Sequence, residues 1–553
     1  MTDGGDRPLR WASWALIAAV VVAVAPIIAF DHVITEDGAS HSALATVMAS
    51  LASSSNEAIA SFYTLNVLPM PNVLATAVLA ILQSFLDPLM AEKVWFAGSI
   101  VLVTVSIRYA VRAVRPESAY LAVLAVPLGI GLVAHLGFYN YMAGFIMMSF
   151  TIGYAYRHVV RNDSTIGWGR VAILSGLFLL TYLGHILPFL AATFVIGTVA
   201  ITDALASARR DGHAAPFAQR AWHRLRWVGV ALVPSTVLLI AYLATQPTTA
   251  TGSVPRGLPG RVAWLGSLGE LFVVFTNREV AASLLVAGAL IVLTVLAIRS
   301  RWSERAIRTE DGFLVAAAVF AIVYLVVPTR IGGGSAVPER LAMFAFVVAV
   351  LWLASSSYGS WVPVMVAGVA IAAIVGFTGI RWSAYEGFDR DVAEYLTAVD
   401  AVEAESTYVA YSLIEPDSGV ADTATAYRID PMAETSAYLV SLVGAIDLNH
   451  LHALYPYSPA YFGDGFDAEP LGQLAPFAED RPGAVPAPFA DFEATSGVAI
   501  DHILLWGRLY ASTEVLDDGL TAEMLDEIDA RYELVHVSAD RGLMEVYRRV
   551  VAP

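Results

Sequence analysis

Cysteine is absent from the 553 residues, and lysine is nearly absent, because Lys93 is the only one. A chain without thiols forms no disulfide, and it offers no thiolate nucleophile and no thiolate ligand for zinc or iron–sulfur clusters. Charged residues make up 15% of the chain, against about 25% in a typical globular domain. Such a composition argues against an ordinary water-soluble enzyme.

Apolar residues are correspondingly abundant in the chain. They make up 57% of the chain, above the roughly 45–50% of soluble domains. Runs of apolar residues recur through the first 380 positions, each long enough to cross a bilayer core of about 30 Å. The sequence predicts an α-helical polytopic membrane protein with about eleven spans, at 11–30, 93–113, 119–136, 138–157, 170–184, 186–205, 227–245, 280–298, 312–328, 340–356 and 361–379.

The first span is expected to be retained, since no small-residue cleavage pattern follows it. The formal charge of −17 is unevenly spread along the chain. Residues 381–553 hold 9 basic and 31 acidic residues, whereas residues 1–380 hold 23 basic and 18 acidic ones. We therefore predict two domains, a transmembrane domain at 1–380 and an acidic soluble domain at 381–553. The acidic domain disfavours nucleic acid as a partner, because phosphate contacts require Lys and Arg.

The orientation follows from the distribution of basic residues. Five basic clusters flank the spans, one at the N-terminus and four further along the chain, and basic loops stay in the cytoplasm. All five fall on one side if the ambiguous apolar segment 71–90 re-enters or lies in the interface instead of crossing. This choice predicts a plasma (inner) membrane protein with a cytoplasmic N-terminus and an extracytoplasmic C-terminal domain. Strand-like runs such as STYVAYSLI and IDHILLWGR predict an α/β fold for that domain, with a long loop at 453–490.

The first outer loop opens with DHVITEDGASH at 31–41, directly after the first span. A carboxylate held near imidazole and guanidinium groups can act as a general base. Asp37 also precedes a predicted helix, so an N-cap role is the alternative, and the sequence leaves the two open. The candidate catalytic residues of this loop are Asp37, Glu36, Asp31 and His41.

Other polar residues are predicted on the same outer face. Arg330 and Arg340 flank IGGGSAVPE, and paired guanidiniums suit a phosphate group; contact with lipid headgroups is the alternative. His185 lies at a predicted outer turn in YLGHILPF, where a purely structural histidine is the alternative. The remaining predicted substrate contacts are Lys93, Tyr139, Asn140 and Asn66.

This layout resembles the C-type glycosyltransferase (GT-C) superfamily of polytopic membrane enzymes. The shared features are a first helix, a long acidic outer loop, the proline-marked segment FYTLNVLPMPN, and an Arg-bearing last outer loop before an external soluble domain. The chain departs from the protein mannosyltransferase-like pattern, with EDGASH in place of an adjacent acidic pair and PMPN in place of a PPL-like motif.

The resemblance implies a polyprenyl-phosphate-linked sugar as donor and a glycan, lipid or protein as acceptor, at the surface of the lipid bilayer. By carry-over, Asp37 would be the base, and Arg330 and Arg340 would hold the carrier phosphate. No particular cofactor is implied, and a requirement for a divalent metal stays open; His450 and His452 in DLNHLH are weak metal candidates.

Three alternatives to this function remain. A glycan polymerase or ligase would also use outer Arg and His residues. A transporter or flippase of lipid-linked glycans would show inverted repeats and charges at mid-membrane, and neither is evident in the sequence. A non-catalytic membrane scaffold that presents the acidic domain is the third alternative.

Overall fold

The computed structural model describes residues 7–66, 70–161, 166–210, 217–245, 257–302, 306–331, 334–415, 419–454, 458–463, 474 and 489–550. The chain divides into two compact units. Unit 1 comprises residues 1–29, 69–74 and 96–382, and unit 2 comprises residues 30–68, 75–95 and 383–553. Residues of the first predicted outer loop thus belong to the same unit as the tail. The division into domains at 380 stays a prediction.

Helices form most of unit 1. Those that lie in it are α1 (Arg7–Ala29), α6 (Leu132–His135), α7 (Tyr139–Ala155), α8 (Trp168–Gly184), α9 (Ile186–Arg210), α10 (Phe217–Thr245), α11 (Leu258–Ser267), α12 (Gly269–Phe272), α13 (Val280–Arg301), α14 (Asp311–Val326) and α15 (Val337–Ala354). Three further helices continue from one unit into the other: α4 (Leu74–Gln83), α5 (Pro88–Val114) and α16 (Val362–Tyr395).

Eight helical segments in the described part of the chain are long and apolar enough to cross a membrane. They are Trp11–Ala29, Pro88–Val114, Pro116–His135, Ile186–Arg209, Phe217–Thr245, Asn277–Arg301, Val337–Ala354 and Val362–Asp400. Shorter apolar helices occur at Trp168–Gly184 and Asp311–Val326, where spans are also predicted. The α-helical polytopic class is confirmed, whereas the count of eleven spans stays a prediction.

The ambiguous segment 71–90 contains a helix too short to span. Helix α4 has 10 residues, which corresponds to about 15 Å at 1.5 Å per residue. This length is about half of the bilayer core. The helix therefore suits the predicted re-entrant or interfacial placement.

Two irregular helices interrupt the regular ones of unit 1. Residues Pro116–Ile130 form a 3₁₀ helix of 15 residues that contains Pro127 and is almost wholly buried; runs beyond about four residues are uncommon for this helix type. Residues Tyr156–Val160 extend α7 as a short π-helix. The sequence predicts ordinary α-helical spans at both places, and apolar content alone does not distinguish the helix types.

A buried ion pair joins four elements of unit 1. Arg381 of α16 is 1% exposed, and its Nη2 lies 2.8 Å from Oε2 of Glu279. The same guanidinium donates to the main-chain oxygens of Ile130 and Phe272. Glu279 in turn accepts from the main-chain N–H of Val274 at 2.8 Å. These hydrogen bonds satisfy the charges that burial would otherwise leave unpaired.

Unit 2 contains a five-stranded sheet in the order β3-β2-β5-β7-β6. The strands are β2 (Thr407–Ser412), β3 (Ile446–Asp447), β5 (His502–Trp506), β6 (Tyr532–Val537) and β7 (Met544–Arg549). Strand β2 pairs in parallel with β3 and β5, whereas β7 pairs antiparallel with β5 and β6. The tail also holds α17 (Tyr438–Leu442), α18 (Phe489–Ser496), α19 (Thr513–Leu516) and α20 (Gly519–Arg531). The predicted α/β fold of the tail is confirmed.

Residues from the first outer loop complete unit 2. Helix α2 (Gly38–Ser53) packs on α17 of the tail, and α3 (Glu57–Phe62) follows it. Strand β1 (Tyr63–Leu65) pairs antiparallel with β4 (Ala460–Phe462). The predicted loop at 453–490 falls mostly outside the described residues. Within the second unit, the acidic loop therefore contacts a tail segment that lies about 400 positions further along the chain.

Candidate active site

Asp37 lies at the start of α2, in unit 2. It occupies the N-cap position of the helix, but its side chain makes no capping hydrogen bond. Its Oδ2 lies 3.8 Å from Nε2 of His452, and the two side chains are 17% and 26% exposed. A carboxylate that is paired with an imidazole and reached by water suits proton transfer better than capping.

Two further imidazoles lie beside this pair. His41, one turn into α2, packs its ring edge-on against His452 with centroids 5.4 Å apart. Ser40 Oγ lies 2.7 Å from Nε2 of the buried His450. Burial lowers the pKa of His41 well below its usual range, and the neighbouring imidazoles act in the same direction. Burial likewise lowers the pKa of His450 to about 3, so both rings are neutral at physiological pH.

Glu434 of the tail lies within electrostatic reach of Asp37. Burial raises the pKa of Glu434 well above its usual range, and the charges of Asp37, Asp447 and Glu36 raise it further. Burial also raises the pKa of Asp447 to about 7, although Ser436 donates a hydrogen bond to this carboxylate at 3.1 Å. The raised pKa of Glu434 favours its protonated form, which limits the negative charge beside Asp37.

The other carboxylates of the opening motif have structural contacts. Glu36 Oε2 accepts from the main-chain N–H of Asp430 at 3.0 Å. The side chain of Asp31 is exposed, and the next residue, His32, is bound to Asp389 through its main-chain N–H at 2.7 Å and its Nδ1 at 2.9 Å. The structure thus brings Asp37, His41 and Glu36 together. It places Asp31 apart from them, next to the contact between His32 and Asp389.

Two more predicted residues lie in unit 2. Lys93 Nζ donates to the main-chain oxygen of Phe30 at 2.7 Å. The main-chain N–H of Asn66 donates to the oxygen of Pro459 at 2.9 Å and continues the pairing of β1 with β4. Both contacts hold the first loop in place.

Arg340 provides a cationic site within unit 1. It lies in the first turn of α15 and is 6% exposed. Its guanidinium carbon lies 4.2 Å from the ring centroid of Phe138 and 5.3 Å from that of Tyr141. Tyr141 also donates a hydrogen bond to the main-chain oxygen of Arg340 at 3.0 Å. Stacked rings hold a guanidinium in one plane, so the orientation of Arg340 is fixed.

His185 lies against this guanidinium because two helices approach closely. A Cβ atom at Gly184 would meet the Cα of Gly144 at 2.4 Å, so only glycine lets α8 end there. His185 Nδ1 lies 3.0 Å from the main-chain nitrogen of Leu187. Nη1 of Arg340 lies 3.0 Å from Nε2 of the same ring, and because a guanidinium cannot accept a hydrogen bond, Arg340 is the donor there.

The remaining predicted residues of unit 1 are placed differently. Tyr139 and Asn140 are buried at the start of α7, and the ring of Tyr139 packs 6.3 Å from that of Phe96. Arg330 is half-buried next to the bridge between Ile331 and Gly334. The two glycines between that pair of bridge residues lie outside the described residues.

Among the described residues, no group of three or more His, Asp or Glu side chains could hold a metal ion. His450 and His452 instead contact Ser40 and Asp37.

Solved structures share the architecture just described. Two crystal structures of ArnT from Cupriavidus metallidurans, one bound to undecaprenyl phosphate and one in the apo state, superpose with TM-scores of 0.53 and 0.52. Each covers 98% of both chains, at 13% and 14% sequence identity. The chain has the fold of ArnT. The predicted resemblance to the GT-C superfamily is confirmed as a likeness of fold.

A third match is more distant than ArnT. The apo oligosaccharyltransferase of Archaeoglobus fulgidus has a TM-score of 0.45 at 11% identity and covers 95% of this chain and 73% of its own. No protein-family model matches the chain, and no curated protein matches it either. The likeness to ArnT therefore rests on structure, because sequence comparison alone does not detect it.

Two residues beside Asp37 were missed as site residues. His452 appears in the sequence only as a weak metal candidate, and Glu434 gives no sequence signal at all. The motif DLNHLH offers a hint, since it gathers one carboxylate and two imidazoles within six positions. Its pairing with a motif some 415 positions earlier is a tertiary contact that local patterns do not encode.

Proposed function

We propose that this protein is a membrane glycosyltransferase that moves a sugar from a polyprenyl-phosphate carrier to an extracytoplasmic acceptor. The observation that carries the proposal is the state of Asp37. Its carboxylate makes no capping hydrogen bond to α2. It lies 3.8 Å from the imidazole of His452 and is partly exposed to water. The chain has the fold of ArnT. The ArnT crystal structure with undecaprenyl phosphate supports a lipid phosphate as the carrier.

In the proposed reaction, Asp37 accepts the proton of an acceptor hydroxyl. The hydroxyl oxygen forms a bond to the anomeric carbon of the sugar, while the bond from that carbon to the phosphate oxygen breaks. The electron pair of the broken bond stays on the polyprenyl phosphate, which leaves. One displacement of this kind inverts the anomeric centre.

The leaving phosphate needs a cationic partner. Arg340 is buried against His185 in unit 1, and guanidinium N–H groups stabilise charge that develops on a phosphate oxygen. Lys93 and Arg330 are the further proposed phosphate contacts. Because Arg340 is stacked between aromatic rings, it would meet the phosphate without reorganisation.

The test is turnover of the donor in vesicles. The purified protein would be reconstituted with a panel of undecaprenyl-phosphate sugars and with native membranes as the source of acceptors. Release of undecaprenyl phosphate would be followed by mass spectrometry. We expect Asp37→Asn to lower the rate at least about 100-fold, as for the loss of a general base.

The matched control is Asp400→Asn, which removes an exposed carboxylate of the tail and should leave the rate unchanged. Full activity of Asp37→Asn, or absence of undecaprenyl phosphate release by the wild type with every donor, would contradict the proposal. Nuclear magnetic resonance of the product would show whether the anomeric configuration is inverted.

A further inference from the structure

The proposed reaction leaves a proton on Asp37, and that proton must depart before the next turnover. An ordinary aspartate has a pKa of about 3.9, so it is a weak base toward a hydroxyl. A stronger base in contact with Asp37 would carry the proton away and restore the carboxylate. Among the described residues, one imidazole that is partly exposed to water lies beside the Asp37 carboxylate.

That group is His452. Its Nε2 lies 3.8 Å from Oδ2 of Asp37, and the residue lies in a 3₁₀ turn, Leu451–Leu454. Ser458 donates a hydrogen bond to the main-chain oxygen of His452, which fixes the segment. With 26% of its side chain exposed, the ring can exchange protons with water.

The other two imidazoles of the cluster cannot take this role. His41 is buried, and burial lowers its pKa well below the usual range. His450 is wholly buried against Ser40, and burial lowers its pKa to about 3. Both rings therefore stay neutral, and neutral rings do not repel a positive charge on His452.

We propose that His452 receives the proton from Asp37 after each sugar transfer. This inference rests on the proposed function and deepens it. The acceptor O–H bond breaks and its proton moves to a carboxylate oxygen of Asp37. Because 3.8 Å exceeds a hydrogen-bond length, the proton then moves from that oxygen to His452 Nε2 by way of one water molecule, and the resulting imidazolium releases it to water. The tail thus supplies a positioning residue that acts on the reaction through Asp37.

The direction of this transfer follows from ordinary basicity. Imidazole is in general a stronger base than a carboxylate, which favours the proton on the ring. The product is an imidazolium–carboxylate pair, whose opposite charges attract.

The experiment uses His452→Gln in the full-length protein in vesicles, with the undecaprenyl-phosphate sugar that the wild type turns over. We expect kcat to fall by about 10-fold to 100-fold, within the range of one acid–base group, and KM for the donor to stay within about twofold of wild type. The acidic limb of the kcat profile should move to lower pH, because only the carboxylate then titrates.

Chemical rescue separates proton transfer from a merely structural role. His452→Ala leaves a space beside Asp37, and added imidazole should restore at least part of the lost kcat. The control is His536→Gln, which loses a hydrogen bond to Thr397 at 2.9 Å elsewhere in the unit. It should keep the kcat, the pH profile and the insensitivity to imidazole of the wild type.

The outcomes are distinct. A wild type that releases no undecaprenyl phosphate refutes the proposed function and with it this inference. An active wild type whose His452→Gln variant keeps its kcat and its acidic limb refutes the inference alone. Loss of activity in His452→Ala without rescue by imidazole also refutes it, since the loss then reflects structure.

Discussion

At the scale of single residues, Arg340 is a tightly constrained cation of unit 1. Its guanidinium lies over Phe138 and Tyr141 and against His185. A lysine at this place would keep the charge, but an ammonium lacks the planar face that stacks on rings and the fork of donors that grips phosphate. The shape of the cation therefore matters as much as its charge.

We expect Arg340→Lys to raise KM for the lipid-linked donor about tenfold, which corresponds to about 1.4 kcal/mol of binding. The measurement is the donor dependence of undecaprenyl phosphate release in vesicles. Arg278→Lys is the matched control, because Arg278 is exposed in the same unit. An unchanged KM for Arg340→Lys would show that the guanidinium does not bind the donor.

A second residue-scale prediction concerns the buried pair of Arg381 and Glu279. Removing only one partner leaves an uncompensated buried charge, so Arg381→Met should cost about 3–5 kcal/mol of unfolding free energy. The double variant with Glu279→Gln should cost less than the sum of the two single variants. Thermal unfolding in detergent would measure both. If the cost of the double variant equalled the sum of the two single costs, Arg381 and Glu279 would not interact energetically.

At the scale of elements, the contacts at the start of α2 distinguish the two roles considered for Asp37, which are helix cap and general base. A side chain that caps a helix contributes about 1 kcal/mol, and here the capping bond is absent. Asn56, which begins α3 in the same loop, does cap, accepting from the main-chain N–H of Ile59 at 2.9 Å. The two residues form a natural comparison.

We therefore expect Asp37→Asn to leave the melting temperature nearly unchanged while turnover is lost. Asn56→Ala should lower the unfolding free energy by about 1 kcal/mol and keep turnover. Differential scanning calorimetry and the vesicle assay would be run on the same preparations. A destabilised Asp37→Asn variant with normal turnover would favour the cap over the base.

Helices and tail strands were largely predictable from the sequence, for a local reason. Apolar runs such as those of α1 and α13 record burial in lipid or protein along the run itself, and β5 and β7 show the composition of strands. The irregular helix Pro116–Ile130 was not predictable, because its apolar content equals that of an α-helix.

The candidate site was predictable only in part. Asp37, His185 and Arg340 were found because polar groups stand out beside apolar spans. The pairings were not predicted, since Asp37–His452 and His185–Arg340 join positions 415 and 155 residues apart. Pairings across such separations depend on the folded backbone.

At the scale of the whole unit, Asp447 makes the stability of unit 2 depend on pH. Burial raises its pKa to about 7, above the ordinary value of 3.8. The folded form then holds its proton where the unfolded chain has lost it. The resulting stabilisation is complete below pH 3.8 and is lost as the pH rises through 7.

We expect the unfolding free energy of unit 2 to fall as the pH rises from about 4 to about 7, at up to 1.36 kcal/mol per pH unit. Amide hydrogen exchange of β2 and β3, corrected for the intrinsic effect of pH, would measure it. Asp447→Asn should flatten this dependence. If the unfolding free energy of Asp447→Asn fell just as steeply with pH, another group would be responsible for the effect.

The membrane orientation gives the last prediction, and the lack of native cysteine makes it simple to check. Single cysteines at Ser55 and Ala404, both exposed in unit 2, should react with a membrane-impermeant maleimide added outside intact cells. A cysteine at Arg112, exposed in unit 1, should react only after the cells are opened. The reverse pattern would invert the topology.

The pairing of β1 with β4 has a consequence for biogenesis. Tyr63–Leu65 is synthesised about 395 residues before its partner Ala460–Phe462, a delay of roughly 20 to 80 s at ordinary rates of translation. Throughout that time the early strand has an open edge, which is where wrong chains pair. Because β1 has three residues, the exposed edge is short. A ribosome that stalls before codon 460 would leave β1 without its partner strand.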